Sequence, residues 1–319
     1  MTKSARTLCL FAILATFAYA GPPEWAYPVP PPAPSDAHPA PPDPHQRHVP
    51  DSQVTLTAAD LAAHAAAVPD WHPEDHPPMP AIVTHGREPQ VWACAYCHLP
   101  NGAGRPENAS LAGLTPAYIR QQLAGFKNGD RPGAEPRRAP QNFMIALARV
   151  LTAAEADEAA TYFAALKPAG FVQVIEAARV PKTYVAGAML AKVPGGGDEP
   201  IGPRIIEVPV ELARAENRDA RTPYLAFVPP GSIARGAALV TQDSAGKTVL
   251  CATCHGATLQ GLGDVPRLVG RSPSYLLRQL YDVQVGARKG SSALMQPVVA
   301  KLSIDDMIAI AAYLASRAP

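Results

Sequence analysis

The chain has 319 residues, with 28 Lys and Arg against 27 Asp and Glu and a formal net charge of +1. That balance gives no electrostatic case for nucleic-acid binding, and the length beyond residue 20 suits two domains. The 37 prolines, far above an ordinary share of about 5%, are placed unevenly and mark boundaries.

Residues 1–20 read as a secretory signal. Lys3 and Arg6 form a positive start, Leu8 to Phe17 an apolar core, and Ala18-Tyr19-Ala20 a small-x-small cleavage site. The apolar run is too short to span a bilayer, and Cys9 lacks the surroundings of an acylation site. These features predict export to the periplasm and a mature chain without a transmembrane segment. Residues 21–55 are dominated by Pro, Ala and Asp, a composition that favours extended chain. Trp25 and Tyr27 leave two readings open there: a flexible spacer, or a stretch packed over a domain surface.

Residues 56–167 form the first predicted unit. Thr57 to Ala67 begins like a capped helix and can supply the unit's first helix, because prolines between Asp75 and Val83 oppose one there. Cys94-Ala95-Tyr96-Cys97-His98 follows, then Thr115-Pro116, a capping hydroxyl before a proline at the first helical position. Thr152 to Glu155 is a capping box ahead of a helix through Leu166. Residues 168–230 break the helical pattern: Phe171 to Ala177 and Arg204 to Val210 are β-rich, with Gly195-Gly196-Gly197 between them, and predict a hairpin or two strands. Residues 231–319 form the second unit. A helix over Ser232 to Val240 precedes Cys251-Ala252-Thr253-Cys254-His255, then come Ser272-Pro273 and a looser capping box at Ser303 to Asp306.

The two pentapeptides carry the chemistry. In C-x-x-C-H the thiols add across the vinyl groups of haem and the histidine becomes an axial iron ligand. A zinc ribbon wants its Cys pairs about 15–20 residues apart; these are 157 apart, from 94 to 251. A dithiol redox motif gives no reason for a histidine after the second cysteine twice. At that offset Gly104 matches Gly261, Tyr118 matches Tyr275, Gln122 matches Gln279 and Arg131 matches Arg288. After a loop difference the offset becomes 151, pairing Met144 with Met295 and Tyr162 with Tyr313. An internal repeat of this kind predicts two similar haem units.

Met144 and Met295 are the candidate sixth ligands, expected in matching loops before the last helix of each unit. Histidine–thioether ligation raises the potential and closes the iron, which suits electron transfer over oxygen or peroxide chemistry. Met307 belongs to a packed helix face, and Met79 and Met189 lie outside the matched positions. His72 and His76 are candidates for a bis-histidine haem or a minor metal site, but read more readily as surface loop residues. Arg131 and Arg288 are equally compatible with a haem carboxylate partner and with open solvent.

The repeated motif, the proline-started helix, the methionine segment and the capped last helix resemble class I cytochrome c domains. Their tandem arrangement is similar to periplasmic dihaem cytochromes of the c-four type. The resemblance covers about residues 85–167 and 231–319, and it implies an all-α fold per domain with two covalently bound haem c groups. It assigns Cys94, Cys97, Cys251 and Cys254 to the thioether links, His98 and His255 to the proximal side, and Met144 and Met295 to the distal side. It also implies a backbone carbonyl orienting each proximal histidine, from Pro266 in the second unit and Ala109 in the first. The expected function is one-electron transfer to or from a periplasmic dehydrogenase or oxidase, as a free carrier or as the cytochrome subunit of a dehydrogenase. A dihaem peroxidase is the alternative. A sulfur-oxidising cytochrome with a cysteine ligand would need a thiol that the mature chain does not have to spare.

Overall fold

The computed structural model describes residues 21–32, 45–64, 67–242 and 246–319; the signal-peptide reading of 1–20, Cys9 with it, lies outside them. Two helical units flank a module that contains all the strands among the described residues. In each unit two helices open on the caps anticipated from sequence. Thr115 Oγ accepts from Tyr118 N–H and Ser272 Oγ from Tyr275 N–H, opening helices Pro116–Asn128 and Pro273–Gln284. Reciprocal capping boxes, Thr152 with Glu155 and Ser303 with Asp306, open the last helices Ala153–Ala165 and Ile304–Ala315. The last helix of the second unit is buried nearly all round. Met307, Ile308 and Ile310 lie in one core with Leu277, Tyr281 and Val240, so Met307 is a packing residue.

The first helix differs between units. Ser232–Thr241 packs across Ile304–Ala315, and Gly236 sits at the crossing, where an added Cβ would overlap the Ala309 carbonyl. In the first unit, Thr57 caps only Ala58–Ala62, a helix that buries nothing. The turn that packs on the last helix is Ala81–Thr84, with Ile82 and Val83 buried. Thr57 to Ala67 therefore does not supply the first helix. Prolines 77, 78 and 80 shorten the counterpart to one turn without abolishing it, because Pro80 can stand as its N-cap.

The module between the units is larger than the hairpin or two strands expected. Strands Val172–Glu176, Tyr224–Val228 and Ile206–Pro209 form one sheet, with the first two parallel and the last two antiparallel. Arg179–Pro181 pairs with Asp198–Pro200, and Thr183–Ala186 with Met189–Lys192. Strand Ile206–Pro209 is buried at every position, the reason its residues do not alternate in the sequence. The fold is thus two helical units with a seven-strand module among the described residues, not helices with a minor β element.

The proline-rich segment is not a free spacer where it is described. Ala26 and Tyr27 are buried in the second unit's core. Tyr27 Oη donates to Asp282 Oδ1 at 2.7 Å, and the Ala26 carbonyl accepts from Arg278 at 2.9 Å.

Candidate cofactor sites

In the first unit all four expected residues meet. Cys94, Cys97, His98 and Met144 line one cavity of about 700 Å³, with Leu111, Ile119, Leu147 and Phe163 as apolar walls. A helical turn over Cys94–His98 puts the two thiols and the ring on adjoining faces. The next glycine turn brings the chain back: Gly104 N–H donates to the His98 carbonyl at 3.0 Å. Gly104 has φ +70°, and a Cβ there would sit 2.5 Å from the Ala109 carbonyl oxygen. That carbonyl accepts from His98 Nδ1 at 2.8 Å.

The second unit repeats the construction. Gly261, at φ +97°, donates its N–H to the His255 carbonyl at 2.9 Å, and the Pro266 carbonyl accepts from His255 Nδ1 at 2.8 Å. Both carbonyls anticipated from sequence are in place, alanine serving where proline was absent. Each bond fixes the tautomer, leaving Nε2 without a proton and with a lone pair to give. His255 Nε2 is buried and has no protein partner. Burial holds both imidazoles below the ordinary histidine pKa, in the neutral form that binds metal. Cys251 and Met295 pack on the same core, while Cys254 is exposed.

Other cysteine chemistry fits less well. Burial pushes the Cys94 thiol up to about 12 and Cys251 up to about 11, the opposite of an activated redox thiolate. Among the described residues no three His, Cys, Asp or Glu side chains gather as a metal site. The four described cysteines are free.

Arg131, Arg138, Arg271 and Arg278 converge between the units on a smaller cavity of about 100 Å³ that also reaches His98 and Met144. Burial, and Arg278 beside it, lower the Arg138 guanidinium to about 9. The Nε atoms of Arg138 and Arg271 are buried without partners. Glu107, Glu135 and Asp282 line the same cavity; the unpartnered guanidinium nitrogens suit a carboxylate-bearing haem, and the donors present fit the group.

The matched arginines are interdomain, not solvated. Arg131 donates to Gln122 and Gln279, each at 3.0 Å. Arg288 donates to the same two amides at 3.0 Å and to Tyr118 Oη at 3.1 Å. Repeat-related residues thus close on one another about a pseudo-twofold axis.

Four residues depart from the sequence reading. Met144 lies inside helix Ala139–Val150, not in a loop: Pro140 is tolerated in the first turn, and Phe143 to Val150 are residues a helix accepts. Met295 ends the 3-10 helix Gly290–Met295. His72 is buried, its Nε2 3.2 Å from Asp219, and His76 faces Asp70 at 3.2 Å; neither lines the cavity. Sequence reasoning also missed the module's part in the site. Tyr184, Ala186, Gly187, Met189, Glu216 and Arg218 line the first cavity. They have no repeat counterpart, so no internal comparison could single them out.

No protein-family model matches the chain. Two relatives are described as "Thiosulfate dehydrogenase electron acceptor". That of Stutzerimonas stutzeri (strain A1501) is 43% identical over 84 residues, 25% of this chain and 38% of the relative's length. That of Thiomonas intermedia (strain K12) is 26% identical over 233 residues, 72% of this chain and 80% of the relative. Cytochrome c-554(548) of Halomonas halodenitrificans is 42% identical over 69 residues, 21% of this chain and 83% of the relative. Cytochrome c4 of Azotobacter vinelandii is 25% identical over 228 residues, 69% of this chain and 82% of the relative. These relatives are electron-transfer proteins, and none supports the peroxidase alternative. With both histidines anchored alike, and the Thiomonas, Halomonas and Azotobacter relatives covered over 80%, 83% and 82% of their length, the chain belongs to the cytochrome c family as a tandem dihaem, c4-type electron carrier with covalently bound haem.

Proposed function

We propose that His98 and Met144 bind one iron and His255 and Met295 the other. The thioether links run through Cys94, Cys97, Cys251 and Cys254. In this reading the protein works in the periplasm, taking single electrons from a dehydrogenase and passing them towards an oxidase. No described helix is long and apolar enough to cross a membrane. The names of the S. stutzeri and T. intermedia relatives favour a dehydrogenase acting on thiosulfate as the donor.

The observation that carries the ligand assignment is the matched pair of 2.8 Å bonds from the histidine Nδ1 atoms to Ala109 and Pro266. Bound haem supplies a one-electron iron couple. The chain's own residues do the rest. The two carbonyls hold the imidazoles in one tautomer, and Leu111, Ile119 and Phe163 give the first cavity an apolar wall. The interdomain arginines offset negative charge as it accumulates. In a periplasmic extract containing a thiosulfate dehydrogenase, adding thiosulfate should bleach the oxidised spectrum and produce the reduced one. Reduction by other donors but never by thiosulfate would remove the sulfur-compound assignment while leaving the carrier intact.

A further inference from the structure

Glu207 is the charged residue of strand Ile206–Pro209, and it is 2% exposed. Ile206 and Val208 belong to the module's own core, so Glu207 points to the other side of the sheet. Its cross-strand neighbour there is Ala226, which has no side-chain donor to give. Ahead of it lies the start of helix Pro273–Gln284. Glu207 Oε2 accepts from Ser272 Oγ at 2.7 Å and from the Ser274 N–H at 3.1 Å. Oε1 is buried and has no partner among the described residues. Haem ligation makes no use of this acid.

The matched helix of the first unit shows the same cap in water. Thr115 Oγ donates to Asp264 Oδ1 at 2.9 Å, and Asp264 is exposed. Each capping hydroxyl reaches an acid from outside its own unit, but only Glu207 is sealed from solvent. Burial lifts Glu207 above the usual carboxylate range, against the pull of Ser272, Ser274 and Arg278. The positive end of the helix adds to that pull. Ionised, the group gains these donors on one oxygen and strands the other; neutral, it escapes the cost of a buried charge. A modest change in local potential is enough to move it from one form to the other.

The titratable groups that face Glu207 are Arg278, from the helix, and Tyr224, from the adjoining strand. Both lead to the first unit. Arg278 donates to the Pro106 carbonyl and lines the cavity that reaches His98 and Met144. Tyr224 bonds the Arg105 guanidinium, which lines the cavity that holds Cys97 and His98. Other charged groups near the strand are engaged elsewhere. Arg214 pairs with Asp219 at 2.6 Å and Arg204 with Glu199 at 3.0 Å. Arg271 donates to the Ser110 carbonyl at 2.9 Å, and Lys192 and Glu216 reach water. Charge added at the first haem is therefore felt at Glu207 through protein of low dielectric, where fields are weakly screened.

We propose that Glu207 is a redox-linked proton site, its carboxylate taking up one proton as the first unit's haem gains one electron. Iron goes from ferric to ferrous with an electron from the dehydrogenase. The proton comes from solvent and forms an O–H bond on Glu207; oxidation reverses both changes. The coupling is reciprocal: protonation of Glu207 raises the potential, so the carrier accepts electrons more readily as its surroundings acidify. The proposal rests on the dihaem reading, but the two fail differently. A wild-type visible spectrum lacking two low-spin haems defeats the ligand assignment; the proton site is judged by how one potential moves with pH.

The test is spectroelectrochemical titration of the full-length holoprotein between about pH 5 and 9, a range that spans the values of buried glutamates. Met144→Ala identifies the first haem's wave as the one it displaces. Reduction is expected to raise the proton affinity of Glu207 about tenfold, so that wave's midpoint should fall by about 59 mV in total as pH rises. Glu207→Gln, which keeps an acceptor for Ser272 and Ser274, should remove the fall. In the wild type, the reduced-minus-oxidised infrared spectrum should gain a protonated-carboxyl band that moves in heavy water and on isotopic labelling of glutamate. The Gln variant should lack that band, and the labelling keeps the test decisive should the variant fail to fold. A potential flat with pH, a fall that persists in Glu207→Gln, or a band insensitive to glutamate labelling would overturn the proposal.

Discussion

Replacing Gly236 by alanine tests the helix crossing that seats the second unit's last helix. A Cβ at Gly236 would overlap the Ala309 carbonyl oxygen, lie 2.6 Å from its carbon and 2.8 Å from Tyr313 Cβ. The first two atoms are backbone, so no rotamer change relieves the conflict and the helices must separate. Taken alone, Gly→Ala inside a helix stabilises by about 1 kcal/mol. Overpacking costs about 1–3 kcal/mol, and immovable backbone puts this site at the upper end. The net loss is then about 2 kcal/mol. For a domain of this size each kcal/mol moves the melting temperature by about 4–8 °C, so the transition of the second unit should fall by roughly 10 °C. Calorimetry of the holoprotein resolves that transition from the rest. A melting temperature equal to or above wild type would show that the crossing is looser than the geometry states, and the packing argument would fail.

Met144→Ala and Met295→Ala should each open one iron to carbon monoxide, seen as a shift of half the reduced Soret band; unchanged ligand access in both would count against thioether ligation. Asp306 is buried, which opposes its ionisation, yet Lys247, the Ser303 N–H and hydroxyl, and Arg235 hold its pKa at about 2. An unfolded aspartate titrates near about 4, so the unfolded chain takes up the proton first. The resulting stabilisation of about 2 kcal/mol is complete above about pH 5 and is lost as pH falls through 4 towards 2; urea titrations of Asp306→Asn should lack that acid slope. Tyr27→Phe removes the bond to Asp282 and leaves a buried acid with the Ala134 N–H as its remaining main-chain donor. It should cost about 1–2 kcal/mol in the same assay.

The legible part of this protein was local. C-x-x-C-H, the caps at Thr115, Ser272, Thr152 and Ser303, and the carbonyls of Ala109 and Pro266 are set by neighbours within about a dozen residues, and each stands where the sequence put it. Long-range structure was not legible. Strand Val172–Glu176 finds its parallel partner only at Tyr224–Val228, and such pairing leaves no short-range signal. His72 read as a surface loop residue because its partner, Asp219, lies 147 residues away. Arg131 and Arg288 were ambiguous for the same reason: the groups they bond belong to both units. Met144 in a helix reflects local propensity overriding an analogy with Met295, whose segment carries Gly290, Ser291 and Ser292 and forms a 3-10 helix instead.

The most direct measurement of the account is near-infrared magnetic circular dichroism of the oxidised holoprotein, calibrated to haem content. The account predicts the sulfur-to-iron band of histidine–methionine ligation at an intensity of two per chain, halved by either methionine variant. A bis-histidine or high-spin signature for either haem would contradict it.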